Sequence, residues 1–195
     1  MKDNWESYFI DGTTTLKNKF DLIDKNELSK LERRITLEKL VFLYLEPIKG
    51  NFDAEHLKKI HSYLFNDIYF FAGQYRTVNI TTFDNAFFEF YPNIKSRLEY
   101  TLNQMNNEIQ NLSSYYYHEF LADFYYELIK THPFREGNGR SIREFLREFV
   151  LEKIPNYELD FEKFDRTTMI DGLKMRVFSP YILNNEFKKA LVLKK

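Results

Sequence analysis

The feature that most restricts this chain is how seldom its helical patterning is interrupted: 195 residues hold only six Gly and five Pro. Both residues break helices, Gly through backbone entropy and Pro through a lost donor and a clash. A chain so poor in them can run long helices, and its apolar residues recur at three- and four-residue spacing. Over residues 27–46 the pattern is carried by Leu28, Leu31, Ile35, Leu37, Leu40, Val41 and Tyr44, and Pro47 and Gly50 end it. Asp53 is suited to cap the next helix, with His56, Leu57, Ile60 and Leu64 on one side, and Phe70-Phe71-Ala72-Gly73 reads as its buried exit. Pro92 opens a helix reaching about residue 110, with Ile94, Leu98, Leu102, Met105 and Ile109 inward. Ser113 or Ser114 caps an apolar helix over 115–130 carrying Phe120, Leu121, Phe124, Tyr125 and Leu128, expected at the centre of the core. Further helices are expected over 139–153, from Asp160 towards Met175, and after Ser179-Pro180.

Residues 74–92 differ. Tyr75, Thr77, Val78, Ile80, Thr81, Phe83, Phe87, Phe88, Phe90 and Tyr91 are β-branched or aromatic, and Asp84-Asn85 marks a turn. That predicts a β-hairpin. The expected fold class is therefore all-α, a compact helical bundle with one small β-hairpin, as a single domain over residues 1–195. An exposed strand of the hairpin could pair with an extended target segment; equally it could be a plain surface hairpin with its rings packed inward.

Composition removes several function classes. Hydrophobic residues make up 44%, enough for a core rather than a disordered chain. Basic and acidic residues number 28 and 29, so the basic stripe of a nucleic-acid binder is not expected. Cysteine is absent, which excludes disulfides, thiolate metal sites and a thiol nucleophile. No basic-then-apolar leader and no bilayer-length apolar run is visible, so a cytoplasmic location without membrane contact is expected, with use as a secreted effector left open.

The segment Thr131-His132-Pro133-Phe134-Arg135-Glu136-Gly137-Asn138-Gly139-Arg140-Ser141-Ile142-Arg143 concentrates the chemistry. Amides at a helix start lack intrahelical partners and face the positive end of the dipole. Gly137 and Gly139 allow close backbone approach, which makes an anion cradle suited to phosphates. Arg140 and Arg143 are three apart, share a helix face and can fork two successive phosphates. Glu136 places one carboxylate beside the cradle, and Mg²⁺ is often held by a single carboxylate plus substrate phosphates. His132 can take a proton from an attacking hydroxyl. Phe134, apolar in a polar loop, should pin it to the core. Together these residues predict phosphoryl or nucleotidyl transfer. His56, His61 and His118 sit within predicted helices and are expected to be structural or surface histidines.

His132-Pro-Phe-Arg-Glu-Gly-Asn-Gly-Arg-Ser-Ile-Arg143 resembles the Fic family motif, His-x-Phe-x-(Asp/Glu)-Gly-Asn-Gly-Arg-x-x-Arg, at every specified position. Phe71-Ala-Gly-Gln-Tyr-Arg-Thr-Val-Asn-Ile80 and Thr15-Leu-Lys-Asn-Lys19 also resemble Fic sequences. The resemblance implies a helical bundle with a hairpin flap over the active site. It also implies an adenylyltransferase moving AMP from ATP to a Tyr, Thr or Ser hydroxyl of a target protein docked on that flap. On this resemblance His132 is the base and Glu136 the Mg²⁺ ligand. Gly137, Asn138 and Gly139 form the anion hole, while Arg140 and Arg143 hold the outer phosphates. Phosphotransferase relatives have Ala and Lys in place of Gly137 and Gly139, so the intact Gly-Asn-Gly implies AMP transfer. Ile80 and Thr81 correspond to flap residues contacting target and nucleotide. Thr82-Phe83 departs from the lysine and glycine that often follow there.

Many Fic proteins carry an inhibitory (Ser/Thr)-x-x-x-Glu-(Gly/Asn) helix whose glutamate pairs with the second motif arginine. Ser7-Tyr-Phe-Ile-Asp11-Gly12 and Thr167-Thr-Met-Ile-Asp171-Gly172 come nearest, each with aspartate. The expectation is a separate, small antitoxin-like partner supplying a glutamate to Arg143. Transfer of UMP or GMP, AMP removal, and a nucleotide-binding module without turnover are the alternatives.

Overall fold

The computed structural model describes residues 5–81 and 88–194. Seven α-helices occur among them: α1 (Lys25–Leu45), α2 (Ala54–Phe65), α3 (Ile94–Glu108), α4 (Tyr117–Thr131), α5 (Asn138–Lys153), α6 (Arg166–Met175) and α7 (Tyr181–Ala190). Caps set several starts by accepting otherwise orphaned amides. Asp24 accepts from Asn26 and Glu27, and Asp53 from His56 at 2.8 Å. The helix expected from Asp160 begins later: Asp160 caps a short 3₁₀ turn, Phe161–Lys163, and Asp165 caps α6.

Helix α5 is the core of the bundle. It packs on α2, α4 and the strand that follows it, and Ile142, Phe145, Leu146, Phe149 and Val150 are completely buried. Helix α4 lies between α3, α5 and α7, as its apolar sequence predicts. The rings of Phe52, Phe145 and Phe149 meet edge to face at 5.3–5.8 Å. Each buried Phe contributes roughly 1.5–3 kcal/mol of transfer free energy. His56 closes this cluster. It accepts the Phe52 N–H on Nδ1 at 3.3 Å, so the proton sits on Nε2 and is donated to Glu148 at 3.0 Å.

The regular antiparallel pair is not where the hairpin was expected. Strand β1 (Tyr157–Leu159) pairs with β2 (Leu191–Leu193), residues too distant in sequence for any local pattern to reveal. Within 74–92 the tip, residues 82–87, lies outside the described residues, and the flanks form no regular strand. They do approach each other, the Phe88 N–H meeting the Ile80 carbonyl at 3.3 Å.

Helix α1 forms where its spacing predicts, but its apolar residues do not all face the core. Its buried residues are Leu28, Glu32, Thr36 and Leu43, whereas Leu37, Val41 and Tyr44 are exposed, together with Phe42 and Leu45. The inward face is partly polar because it looks onto Arg140, which needs oxygen partners. Phe70 is likewise exposed rather than part of a buried exit, while Phe71, Ala72 and Gly73 are partly covered.

Candidate active site

The loop between α4 and α5 is held at both ends. At its start, His132 ends α4 in the left-handed region, φ 47°, where a non-glycine residue is strained unless its surroundings enforce it. Its Nδ1 lies 3.2 Å from the Ile129 carbonyl. A carbonyl can only accept, so Nδ1 carries the proton and Nε2 keeps its lone pair. The Phe88 ring stacks on the imidazole at 3.7 Å and 15°. Burial first, then the nearby Arg76 and Arg135 guanidinium groups, lowers the His132 pKa to about 4 against the upward pull of the Ile129 carbonyl. The ring is therefore neutral at physiological pH.

Gly137 turns the chain into α5 at φ +79°, and a Cβ there would meet the Phe65 ring at 2.3 Å, so both conformation and space require glycine. The first helical bond of α5 runs from Ser141 to Gly137, which leaves the amides of Asn138, Gly139 and Arg140 without intrahelical acceptors. Asn138 is committed elsewhere: its Oδ1 accepts from Phe134 N–H and its Nδ2 donates to the Phe134 carbonyl, both at 2.8 Å. Only its main-chain amide is left to face an anion. Phe134 is fully buried and stacks on His61 at 3.8 Å.

Glu136 is partly exposed, and its Oε1 accepts the Gly137 N–H at 2.9 Å. Arg140 lies on Phe65 and donates to Thr36 at 3.1 Å and to Glu32 at 2.5 Å, with Glu136 3.9 Å away. The Tyr69 hydroxyl also donates to Glu32, and burial and that carboxylate push its pKa strongly upward. Arg143 lies against the buried Tyr125 hydroxyl, and its guanidinium would be 3.2 Å from a Cβ on Gly139. Both motif arginines line a cleft of about 390 Å³ shared with Arg33 and Arg166. A larger cavity, about 630 Å³, lies between Tyr44, Arg147 and Phe161 and contains no motif residue. Ile80 and Thr81 lie at the last described positions before the flap tip. Among the described residues no ion pair joins Asp11 or Asp171 to Arg143, and no group of three or more His, Asp or Glu could hold a metal.

Two side chains outside the motif complete the site. His61 is fully buried. It accepts the Gly73 N–H on Nδ1 at 2.8 Å and donates from Nε2 to the Glu136 carbonyl at 2.9 Å. Arg76, 1% exposed, donates to carbonyls on both flanks of the flap and on the motif loop. Neither was singled out by the sequence as functional. The available signals were a charge inside the apolar run around Tyr75 and Val78, and a histidine on the buried side of α2. Arg135, at the variable motif position, is boxed by the rings of Trp5 and Phe9 at 4.2 and 5.1 Å.

Comparison with known proteins identifies the family. The profile of the Fic/DOC family matches residues 51–150. The chain is 36% identical over 190 residues to "Protein adenylyltransferase VbhT" of Bartonella schoenbuchensis, covering 96% of this chain but 38% of that relative. It is 29% identical to "Probable protein adenylyltransferase y4lH" of Sinorhizobium fredii, covering 86% of this chain and 85% of the relative. Among solved structures, BepC of Bartonella tribocorum with bound AMPPNP superposes with a TM-score of 0.83 at 30% identity, covering 97% and 98% of the two chains. An N-terminal Fic domain from Bartonella quintana with bound ADP gives 0.84 at 27% identity, covering 97% and 96%. With the family profile matched over residues 51–150 and the helical frame shared with these structures, the chain belongs to the Fic/DOC family.

Proposed function

We propose that this chain, as one Fic domain over residues 1–195, transfers AMP from ATP to a Tyr, Thr or Ser hydroxyl of a target protein. The observation that carries the reading is the pairing, on one short loop, of a neutral imidazole whose Nε2 lone pair has no partner among the described residues with three amides that have no intrahelical acceptor at the start of α5. His132 takes the hydroxyl proton, the hydroxyl oxygen bonds to the α-phosphorus, and the bond from that phosphorus to the bridging oxygen breaks, releasing pyrophosphate. The amides of Asn138, Gly139 and Arg140 and the forks of Arg140 and Arg143 hold the phosphates, so catalysis is chiefly positioning and charge neutralisation. Arg140 already has oxygen partners in Glu32 and Thr36, and with five donors it retains capacity for phosphate. Names of relatives as protein adenylyltransferases, and neighbours holding AMPPNP and ADP, support ATP as the donor.

The residues present suit Mg²⁺. Glu136 uses Oε1 for the Gly137 amide, and its Oε2 has no partner among the described residues. When bound, the ion would neutralise charge between phosphates. Ile80 and Thr81, at the entry to the flap, are assigned to contact with a target segment and the nucleotide.

A separate antitoxin-like protein bringing a glutamate to Arg143 belongs to the same reading. Arg33, Arg143 and Arg166 around one cleft, beside the exposed apolar face of α1, suit an acidic amphipathic segment. Strong self-inhibition of the purified chain, relieved by substituting Asp11 or Asp171, would remove that partner from the scheme.

The test is incubation with Mg²⁺ and ATP labelled at the α- or the γ-phosphate, with a lysate as target source. Label transferred from the α position only, and abolished by His132→Ala, is expected. Transfer from the γ position, from UTP or GTP instead, or labelling indifferent to His132→Ala would overturn the assignment.

A further inference from the structure

We propose that Arg76 is a positioning residue that fixes the His132 backbone and both flanks of the flap to one guanidinium, so that docked target and base stay in register. This rests on the reading of His132 as the base. Arg76 precedes the flap tip by only a few residues, yet its side chain turns back into the core. Nε donates to the His132 carbonyl at 2.7 Å, one terminal nitrogen to the Val78 carbonyl at 2.6 Å, and the other to the carbonyls of Glu89 at 2.5 Å and Thr131 at 3.3 Å. Its own amide donates to the Pro133 carbonyl at 2.9 Å, and the Glu89 amide to the Lys130 carbonyl at 2.9 Å. Val78 lies on the incoming flank and Glu89 on the outgoing one, while Thr131 and His132 are the last turn and cap of α4.

A buried guanidinium is tolerated only where its donors are satisfied. Here the carbonyls at the C-terminal end of α4 supply acceptors and the negative end of the helix dipole. The gain for catalysis lies at His132. Its left-handed conformation is strained and persists only because neighbours over-determine it. The bonds to its carbonyl and to those of Thr131 and Pro133 hold that conformation, and the conformation sets Nδ1 on the Ile129 carbonyl. Lysine offers one ammonium point and cannot span carbonyls on three segments.

The test is Arg76→Lys. Expected are a folded protein, affinity for a non-hydrolysable ATP analogue with Mg²⁺ within about twofold of the parent, and AMP transfer slowed by at least about tenfold. In the ¹⁵N spectrum of histidine-labelled protein, His132, assigned with His132→Ala, should lose its single Nδ1–H tautomer. A folded variant with unchanged rate and tautomer overturns the proposal. So does parallel loss of nucleotide affinity and transfer, which marks a merely structural role. If the parent transfers no nucleotide, the proposed function fails, while the tautomer comparison, made without nucleotide, still decides the role of Arg76. If the variant does not fold, the parent decides: Arg76 Nε–H exchanging as slowly as core amides supports the proposal, and exchange at the rate of a free side chain overturns it.

Discussion

The carboxamide of Asn138 closes on the backbone of Phe134 from both sides, accepting its N–H and donating to its carbonyl at 2.8 Å each. The loop that carries His132 and Glu136 is thus folded back onto the first residue of α5. Asn138→Ala leaves two buried backbone groups unpaired, at roughly 1–3 kcal/mol each. The expected outcome is a loss of about 2–4 kcal/mol in urea unfolding, with AMP transfer reduced even where the protein remains folded. A melting curve unchanged from the parent would contradict this role.

Phe88 covers the imidazole of His132, and burial is the main reason that its pKa is lowered to about 4. Phe88→Ala admits water and should move that pKa up towards the ordinary 6.5. Since a base must be neutral to act as proposed for His132, the acid limb of the rate profile should move in the same direction, costing activity near pH 6 while leaving pH 8 less affected. Proton NMR titration of the His132 ring checks the shift. An unmoved titration would mean that Phe88 does not govern the solvation of the base.

His61 is also held neutral with a pKa lowered to about 4, chiefly by burial, then by Arg140, against the Glu136 carbonyl, which raises it. Protonation would set an Nδ1–H against the Gly73 N–H. The folded pKa lies below the unfolded value of 6.5, so between those values the unfolded chain binds more protons. Stability is present above about pH 6.5 and lost as pH falls towards 4. One group of this kind accounts for on the order of 3 kcal/mol. Denaturation midpoints across pH 4–7 should fall on acidification, and His61→Gln should flatten the slope at some cost in stability at pH 7. An equal slope in parent and variant would refute the attribution.

Gly137→Ala combines two penalties, a positive φ and a Cβ 2.3 Å from the Phe65 ring. The strained conformation alone costs roughly 1–2 kcal/mol. A lowered melting temperature and weakened binding of the ATP analogue are expected, because the start of α5 must shift away from Phe65. Gly12 serves as the control. It also has a positive φ but nothing within 4 Å of its Cβ, so Gly12→Ala should show the conformational cost without loss of nucleotide binding.

Most of the helical frame was legible in the sequence. Asp53, the span of α4 and the start of α5 fall where capping and periodicity put them, because these are short-range effects. The motif residues were legible for the same reason: they are contiguous, and a loop opening a helix has only a few geometries. The errors share the opposite cause. On α1 the apolar spacing runs through Leu37, Val41 and Tyr44, which stay exposed, because Arg140 draws Glu32 and Thr36 to the inner side from more than a hundred residues away. The β1–β2 pair joins segments more than thirty residues apart, which no turn signal announces.

Sequence by itself determined that this chain is helical, cysteine-free and equipped with a glycine-bearing loop that opens a helix beside a histidine. Capping, helix spacing and the glycine positions are encoded within a few residues of where they act. Tertiary structure alone decided which nitrogen of His132 carries the proton, what covers the ring, and that Asn138 serves the loop rather than reaching out with its side chain. It also decided that Arg76 and His61 bond to the backbone of the motif loop. Each of these depends on a buried donor finding the one acceptor that the packed chain brings to it, and that meeting is fixed only once the helices have closed around α5.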